Sequence, residues 1–309
     1  MILTVTLNPA LDLILGVDHF ESGQDHRIKK TLRLAGGKGV NVSRWLTQAG
    51  VLNQATGFVG GPSGRQLERE LKLTGVQARF VRISSETRLN LTVVDERTKQ
   101  VSRFLGPEPS VSFGEWKKFL RLYGQLLKNC RYAVFSGRKI LGLPVSVYFE
   151  LIQRAKKKGI LTFLDSSGPA LKAGFKAKPY LIKPNQEEIQ VILGYVPRTL
   201  KEWKEALQSL VRDGISVALI TRGAQGAVAT NGSEYILIKP PVISLVSPPG
   251  CGDAFLAGFL AGVSRGRNFA DSVKSAASYG TAQAFSVFSR TPSLKAAGEF
   301  YGKIKLISL

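Results

Sequence analysis

The stretch "LVSPPGCGDAFLAGFLAG", Leu245 to Gly262, sets the reading of the chain. Pro248 and Pro249 cannot continue a helix, whereas Ala254 to Gly262 is small and apolar enough to form one buried against a core. Gly250, Cys251 and Gly252 therefore fall at a helix N-terminus, with Asp253 in the first turn. Backbone N–H groups at such a place lack intrahelical partners and the positive end of the helix dipole faces outward, so an anion is the expected occupant. Asp253 also reads as an ordinary capping acid beside a glycine turn, so its surroundings must decide.

Around this stretch, short aliphatic runs alternate with longer amphipathic ones. "ILTVTL" (2–7), "YAVFSG" (132–137), "ILTFLD" (160–165), "YLIKPN" (180–185) and "ISVALITRG" (215–223) read as buried strands. The spacing of apolar residues predicts helices over Asn41–Ala49, Ser63–Thr74, Glu115–Lys128, Val145–Lys158 and Lys201–Arg212. Alternating strands and helices imply an α/β fold with a mainly parallel sheet covered on both faces, and ligands in such sheets bind beyond the carboxyl ends of the strands. Asp12–Leu34 and Arg79–Leu105 instead alternate polar and apolar residues, as strands with one exposed face do. They predict a small projecting sheet serving as a lid or a homodimer surface, on an otherwise single domain spanning 1–309.

Composition bounds the function classes. Forty-three Lys and Arg against 22 Asp and Glu give a formal charge of +21, which favours anionic partners without choosing among nucleic acid, an anionic membrane and phosphorylated metabolites. The basic residues form short clusters and no long basic tail, so no specific nucleic-acid site is expected. Two cysteines, Cys130 and Cys251, supply neither a disulfide framework nor a zinc site. No apolar run approaches the ~20 residues that span a bilayer, and the opening "MILTVTLNPALDLIL" lacks the basic start of a signal peptide, so a cytoplasmic location is expected.

Three further motifs carry chemistry. In "LAGGKGVNVSRWL", Gly36, Gly37 and Gly39 permit close backbone approach, Lys38 adds a cation and Asn41 lies at the start of a helix; the spacing is neither a Walker loop nor a dinucleotide fingerprint. In "YLIKPNQEEI", Asn185 and Glu188 stand three apart after a strand end, either as a capping box or as oxygen donors to the water shell of Mg²⁺. In "LITRGAQGAVA", Thr221, Gly223 and Gly226 form a tight strand–turn–strand suited to a nucleotide phosphate, or a plain hairpin.

Taken in order, "TLNPALD", "AGGKGVNV", "GFVGGPSGRQLERELKLTGV", "ETRLNLTVVDE", "SGRKILGLP", "IKPNQEEI", "ITRGAQGA" and "PPGCGDAFLAGFLAG" resemble the ribokinase-like sugar kinases of the PfkB group over nearly the whole chain. The likeness is to the hexose-phosphate branch that contains 1-phosphofructokinase and tagatose-6-phosphate kinase. It implies a three-layer αβα ribokinase-like domain with a small β-sheet lid, and an ATP- and Mg²⁺-dependent kinase acting on a ketohexose monophosphate. On this resemblance Asp253 is the general base and the N–H groups of Gly250, Cys251 and Gly252 form the anion hole. Asp12, Gly37 and Asn41 hold the sugar, while Lys38, Arg88 and Arg27 face its phosphate; Arg138, which relatives lack, is a further candidate to bind it. Lys183, Asn185, Thr221, Gly223 and Gly226 serve the nucleotide, and Asn185 with Glu188 the Mg²⁺.

The chain departs from the family pattern at named places. "SGRKILG" stands where relatives carry "SGSLPPG", putting Arg138 and Lys139 near the sugar-phosphate end, and "RFLGPEP" lacks an asparagine. Pro249 and Cys251 replace smaller residues at the glycine turn. GGKG with Lys38, together with Arg88, favours a phosphosugar, with fructose 1-phosphate the first substrate expected and tagatose 6-phosphate the second, whereas Arg138 and Lys139 make a nucleotide- or sugar-phosphate-binding protein without turnover the rival class.

Overall fold

Successive residues of a strand face opposite sides of its sheet, and the run from Tyr132 to Phe135 is apolar on both. Tyr132 and Val134 pack among the helices of one layer, Ala133 and Phe135 among those of the other. The computed structural model describes residues 1–243, 249–285, 289 and 291–309, so Leu245–Pro248 of the stretch quoted above lie outside the described residues. In chain order its strands are β1 Ile2–Thr6, β2 Ala10–Val17, β3 Lys30–Gly36, β4 Asn53–Gly60, β5 Ala78–Ile83, β6 Arg88–Asp95 and β7 Val101–Phe104, then β8 Tyr132–Ser136, β9 Leu161–Asp165, β10 Leu181–Ile182, β11 Val217–Thr221, β12 Ala227–Thr230, β13 Tyr235–Lys239 and β14 Lys305–Ser308. The helices are α1 Lys38–Gln48, α2 Gly61–Leu73, α3 Phe113–Leu126, α4 Val147–Lys156, α5 Gly168–Phe175, α6 Gln190–Leu193, α7 Leu200–Arg212, α8 Cys251–Ser264, α9 Phe269–Ala284 and α10 Leu294–Tyr301.

Ten strands form the large sheet in the order β14-β13-β12-β11-β10-β9-β8-β1-β4-β5, parallel from β5 to β11 and antiparallel at the β12–β14 edge. One layer is built on α1, α8 and α9, the other on α3, α4, α5 and α7, which is the three-layer architecture the alternation implies. No helix among the described residues is long and apolar enough to cross a membrane.

Helix α8 is buried continuously from Asp253 to Gly262. Phe255, Leu256, Phe259 and Leu260 contribute about 1.5–3 kcal/mol each when fully buried, against about 1 kcal/mol for a good N-cap. Packing therefore fixes this helix, and its first turn goes without a side-chain cap, whereas α3 and α7 carry complete capping boxes.

The four-stranded second sheet runs β3-β2-β6-β7. It matches the expected projecting sheet with one correction: the Arg79–Ile83 part of the expected lid is the edge strand β5 of the large sheet. Val81 and Ile83 are buried against the core beneath α3, so this segment has an apolar face to lose and pairs with β4.

Candidate active site

The carboxyl ends of the parallel strands, the first turn of α8 and one face of the small sheet enclose a cleft of about 950 Å³. Gly250 precedes α8 with φ 82°, a left-handed conformation that favours glycine. Asp253 is 6% exposed, and its Oδ2 accepts a hydrogen bond from Asn41 Nδ2 at 2.8 Å. Burial foremost, with the charge of Asp165 added, pushes its carboxyl up to about 6 against the pull of Lys38, Asn41 and Lys183. Burial foremost, with the charge of Asp253 added, also pushes the Cys251 thiol up to about 12, so this side chain stays protonated.

Behind the turn lies a charge cluster. Asp165, fully buried at the end of β9, pairs through Oδ1 with Lys38 Nζ at 3.0 Å and through Oδ2 with Lys183 Nζ at 3.0 Å. Lys38 Nζ also donates to Glu188 Oε1 at 3.3 Å. Burial disfavours a charged Lys38, yet Asp165 and Glu188 outweigh it and hold the ammonium above its usual range. The same balance holds Asp165 below the usual carboxylate range: burial opposes its charge, and Lys183 and Lys38 prevail. A Cβ at Gly252 would stand 3.2 Å from Lys183 Nζ, so this ammonium lies against the glycine turn.

At the other end, Asp12 on β2 stands opposite Asn90 on β6, whose Nδ2 donates to Asp12 Oδ1 at 2.8 Å. Burial raises the Asp12 carboxyl above its ordinary value despite that bond. Gly36 admits this carboxylate, because a Cβ there would meet Asp12 Oδ2 at 1.9 Å. Arg88 Nη2 donates to the Asn8 carbonyl at 3.1 Å, and Arg103 and Arg138 line the same end. Asn8 is 3% exposed, lines the cleft, and neither atom of its side-chain amide has a partner; Arg88 Nε is likewise unpartnered. Arg27 is the correction here. It is exposed and does not line the cleft, because β2 carries the chain from Asp12 to Val17, about 17 Å at about 3.3 Å per residue, before the connection that holds it.

The capping reading of "PNQEE" is realised: Asn185 Oδ1 accepts from the N–H groups of Glu187 and Glu188, and Glu188 Oε2 accepts from the Asn185 N–H. Both residues nevertheless line the cleft, as do Thr221, Gly223 and Gly226 in the turn between β11 and β12. The fully exposed Val242, with Ala224 and Ala284, gives this end an apolar wall.

The family model for the pfkB family carbohydrate kinases matches residues 5–295. The chain belongs to the PfkB family of carbohydrate kinases. This PfkB kinase is 34% identical over 283 residues, 91% of each chain, to a tagatose-6-phosphate kinase of Staphylococcus epidermidis. Among solved structures it is similar to phosphofructokinase-2 of Escherichia coli in complex with substrates and products, with a TM-score of 0.91 and 26% identity over 98% of each chain. A possible 1-phosphofructokinase of Thermotoga maritima gives a TM-score of 0.91 and 28% identity, covering 100% of this chain and 99% of that one.

Within the PfkB kinase, the cleft brings together Asp253, Gly250, Cys251, Gly252, Asp12, Gly37, Lys38, Asn41, Arg88, Arg138, Lys183, Asn185, Glu188, Thr221, Gly223 and Gly226. Sequence reasoning missed Asp165, Asn8 and Asn90. An acid closing an apolar strand, as Asp165 closes "ILTFLD", was the available signal for the first. Among the described residues no group of three metal-ligating side chains converges. The oxygen donors Asn185 and Glu188 already serve backbone N–H groups and Lys38, which fits an ion held through its water shell.

Proposed function

We propose that the protein transfers the γ-phosphoryl group of ATP to a ketohexose monophosphate, with fructose 1-phosphate as the first substrate. The observation that carries this reading is the pairing of a buried, uncapped helix start bearing Asp253 with an opposite cleft end lined by Arg88, Arg103 and Arg138. Guanidinium groups grip phosphate through paired N–H donors, so a substrate that already carries phosphate suits this end. Asp12 and Asn90 between the two ends suit sugar hydroxyls.

Asn41 occupies Asp253 Oδ2 and leaves Oδ1 for the accepting primary hydroxyl. As the new O–P bond forms and the bond from the γ-phosphorus to the bridging oxygen breaks, the hydroxyl proton passes to Asp253 and ADP leaves. Charge on the transferred group is met by N–H groups at the start of α8 and by Lys183 beside Gly252; one such donor is typically worth about 2.7–4 kcal/mol. Bound Mg²⁺ would neutralise nucleotide phosphate charge, with Asn185 and Glu188 facing its water shell. The Thr221–Gly226 turn and the apolar wall beside it suit the nucleotide.

Tagatose 6-phosphate is the second reading, favoured by the 34% identical relative named for that activity. Both substrates carry phosphate at one end of a six-carbon chain and the accepting primary hydroxyl at the other. ADP release with Mg·ATP against fructose 1-phosphate, tagatose 6-phosphate, fructose 6-phosphate and fructose tests the reading. The expected result is turnover on a phosphorylated ketohexose that Asp253→Asn abolishes. ATP binding with no ADP formed from any of the four would refute it.

A further inference from the structure

The amino ends of the strands, opposite the cleft, carry a second charged feature. β8, β9, β10 and β11 are neighbours in the sheet, and each begins after a short turn. The turns hold Lys128 and Arg131 before β8, the run Lys156–Lys158 before β9, and Lys176 and Lys178 before β10, all exposed. Arg212 precedes β11, beside Asp213, the one acid in these four turns. Some surface cations elsewhere are paired with acids, as Lys29 is with Asp18, Lys30 with Glu96, Arg82 with Glu68 and Arg154 with Glu150. Among the described residues none of the turn cations has an ion-pair partner.

The turns are tied into a row. Lys156 Nζ donates to the carbonyls of Ala177 at 2.9 Å and Lys178 at 2.8 Å, joining the second turn to the third. The Lys178 stem packs at Gly214, joining the third to the fourth. Lys178 itself has φ 49°, a conformation that favours glycine, so a cation stands where a less strained residue would serve the turn better. Three strand spacings of about 4.8 Å make the row about 14 Å long. That matches about four phosphates of one nucleic-acid strand at about 3.4 Å of rise each. None of the large exposed apolar side chains falls in these turns, so the row lacks the anchors of a membrane-inserting surface.

We propose that this face grips the phosphodiester backbone of a nucleic acid without reading its bases. Because the row lies at the opposite strand ends from the cleft, the interaction is separate from the kinase site. The test measures binding of the full chain to a labelled single-stranded RNA, a duplex DNA and phosphatidylserine vesicles across salt concentrations. Two variants with equal charge loss are compared: Lys157→Gln/Lys158→Gln/Lys176→Gln in the row, sparing the hydrogen-bonded Lys156, and Arg69→Gln/Lys118→Gln/Arg121→Gln on α2 and α3. Equal melting temperatures check that both fold. The row variant is expected to lower the slope of log K against log salt by about 2 on RNA or about 3 on DNA, with the other variant like the native chain. Loss on RNA alone or DNA alone identifies which backbone is held. Equal slope losses in the two variants, binding to vesicles but to neither nucleic acid, or no binding at about 50 mM salt would each overturn the proposal.

Discussion

Replacing Asp253 by asparagine is expected to make the protein more stable while disabling it. The native carboxyl rises from 3.8 to about 6 on folding, burial being the main cause. A carboxyl whose folded value lies above its unfolded one gives stability that is complete below the unfolded value and lost as pH rises through the folded one. At about 1.4 kcal/mol per pKa unit, the ionised group therefore costs about 3 kcal/mol at neutral pH. Asparagine removes the charge and keeps an acceptor for Asn41 Nδ2. Unfolding entropy for 309 residues converts 3 kcal/mol into a rise in Tm of about 5 °C. At about pH 4.5 the native group is largely protonated when folded, and the gap shrinks to about 1 kcal/mol. Turnover should fall by about 10² to 10⁴ with the base gone. Calorimetric melts of both proteins at about pH 4.5 and pH 7.5, with ADP release beside them, give the readout. A variant that melts below the native protein at the higher pH, or a gap that does not widen with pH, would refute the burial argument. Retained turnover would refute the assignment of the base.

Asp165→Asn leaves Lys38 and Lys183 without their shared carboxylate, and breaking a buried pair of this kind costs about 3–5 kcal/mol in a denaturant melt. In any folded fraction the acid limb of the kcat/KM profile shifts to lower pH, because Asp165 is one of the groups that raise Asp253. Gly252→Ala places a methyl 3.2 Å from Lys183 Nζ, which must give way by a few tenths of an ångström, and steady-state kinetics should show kcat reduced by well under the about 10²-fold that an ångström of misplacement costs. Asn8→Ala removes a buried amide that has no protein partner and should raise KM for the phosphosugar without lowering Tm; an unpartnered polar group costs about 1–3 kcal/mol, so a large Tm loss would assign Asn8 a structural role instead.

What could be read in the sequence and what could not separate along a physical line. Local signals were legible: apolar period located β1, β8, β9 and β11, and Pro249 with the glycines that follow it marked the start of α8. Each motif was ambiguous alone because capping and ligand binding use the same atoms, and the folded chain retains that ambiguity: Glu188 caps Asn185 with one oxygen and meets Lys38 with the other. Pairings between distant segments were not legible. Nothing in "ARFVRI" distinguishes a lid strand from β5 at the edge of the large sheet, since the choice rests on whether Val81 and Ile83 find a core. Arg27 failed for a related reason, its sequence neighbourhood carrying no measure of how far β2 removes it from Asp12. Asp165 was hidden because its importance comes wholly from partners 127 and 18 residues away in opposite directions. That acid neutralises two lysines while raising the carboxyl at the start of α8, so it couples the cations expected to meet phosphate to the base expected to accept a proton. A substitution at this position should therefore disturb charge at both ends of the transfer, whereas changes at Arg88 or Arg138 should act on substrate binding alone.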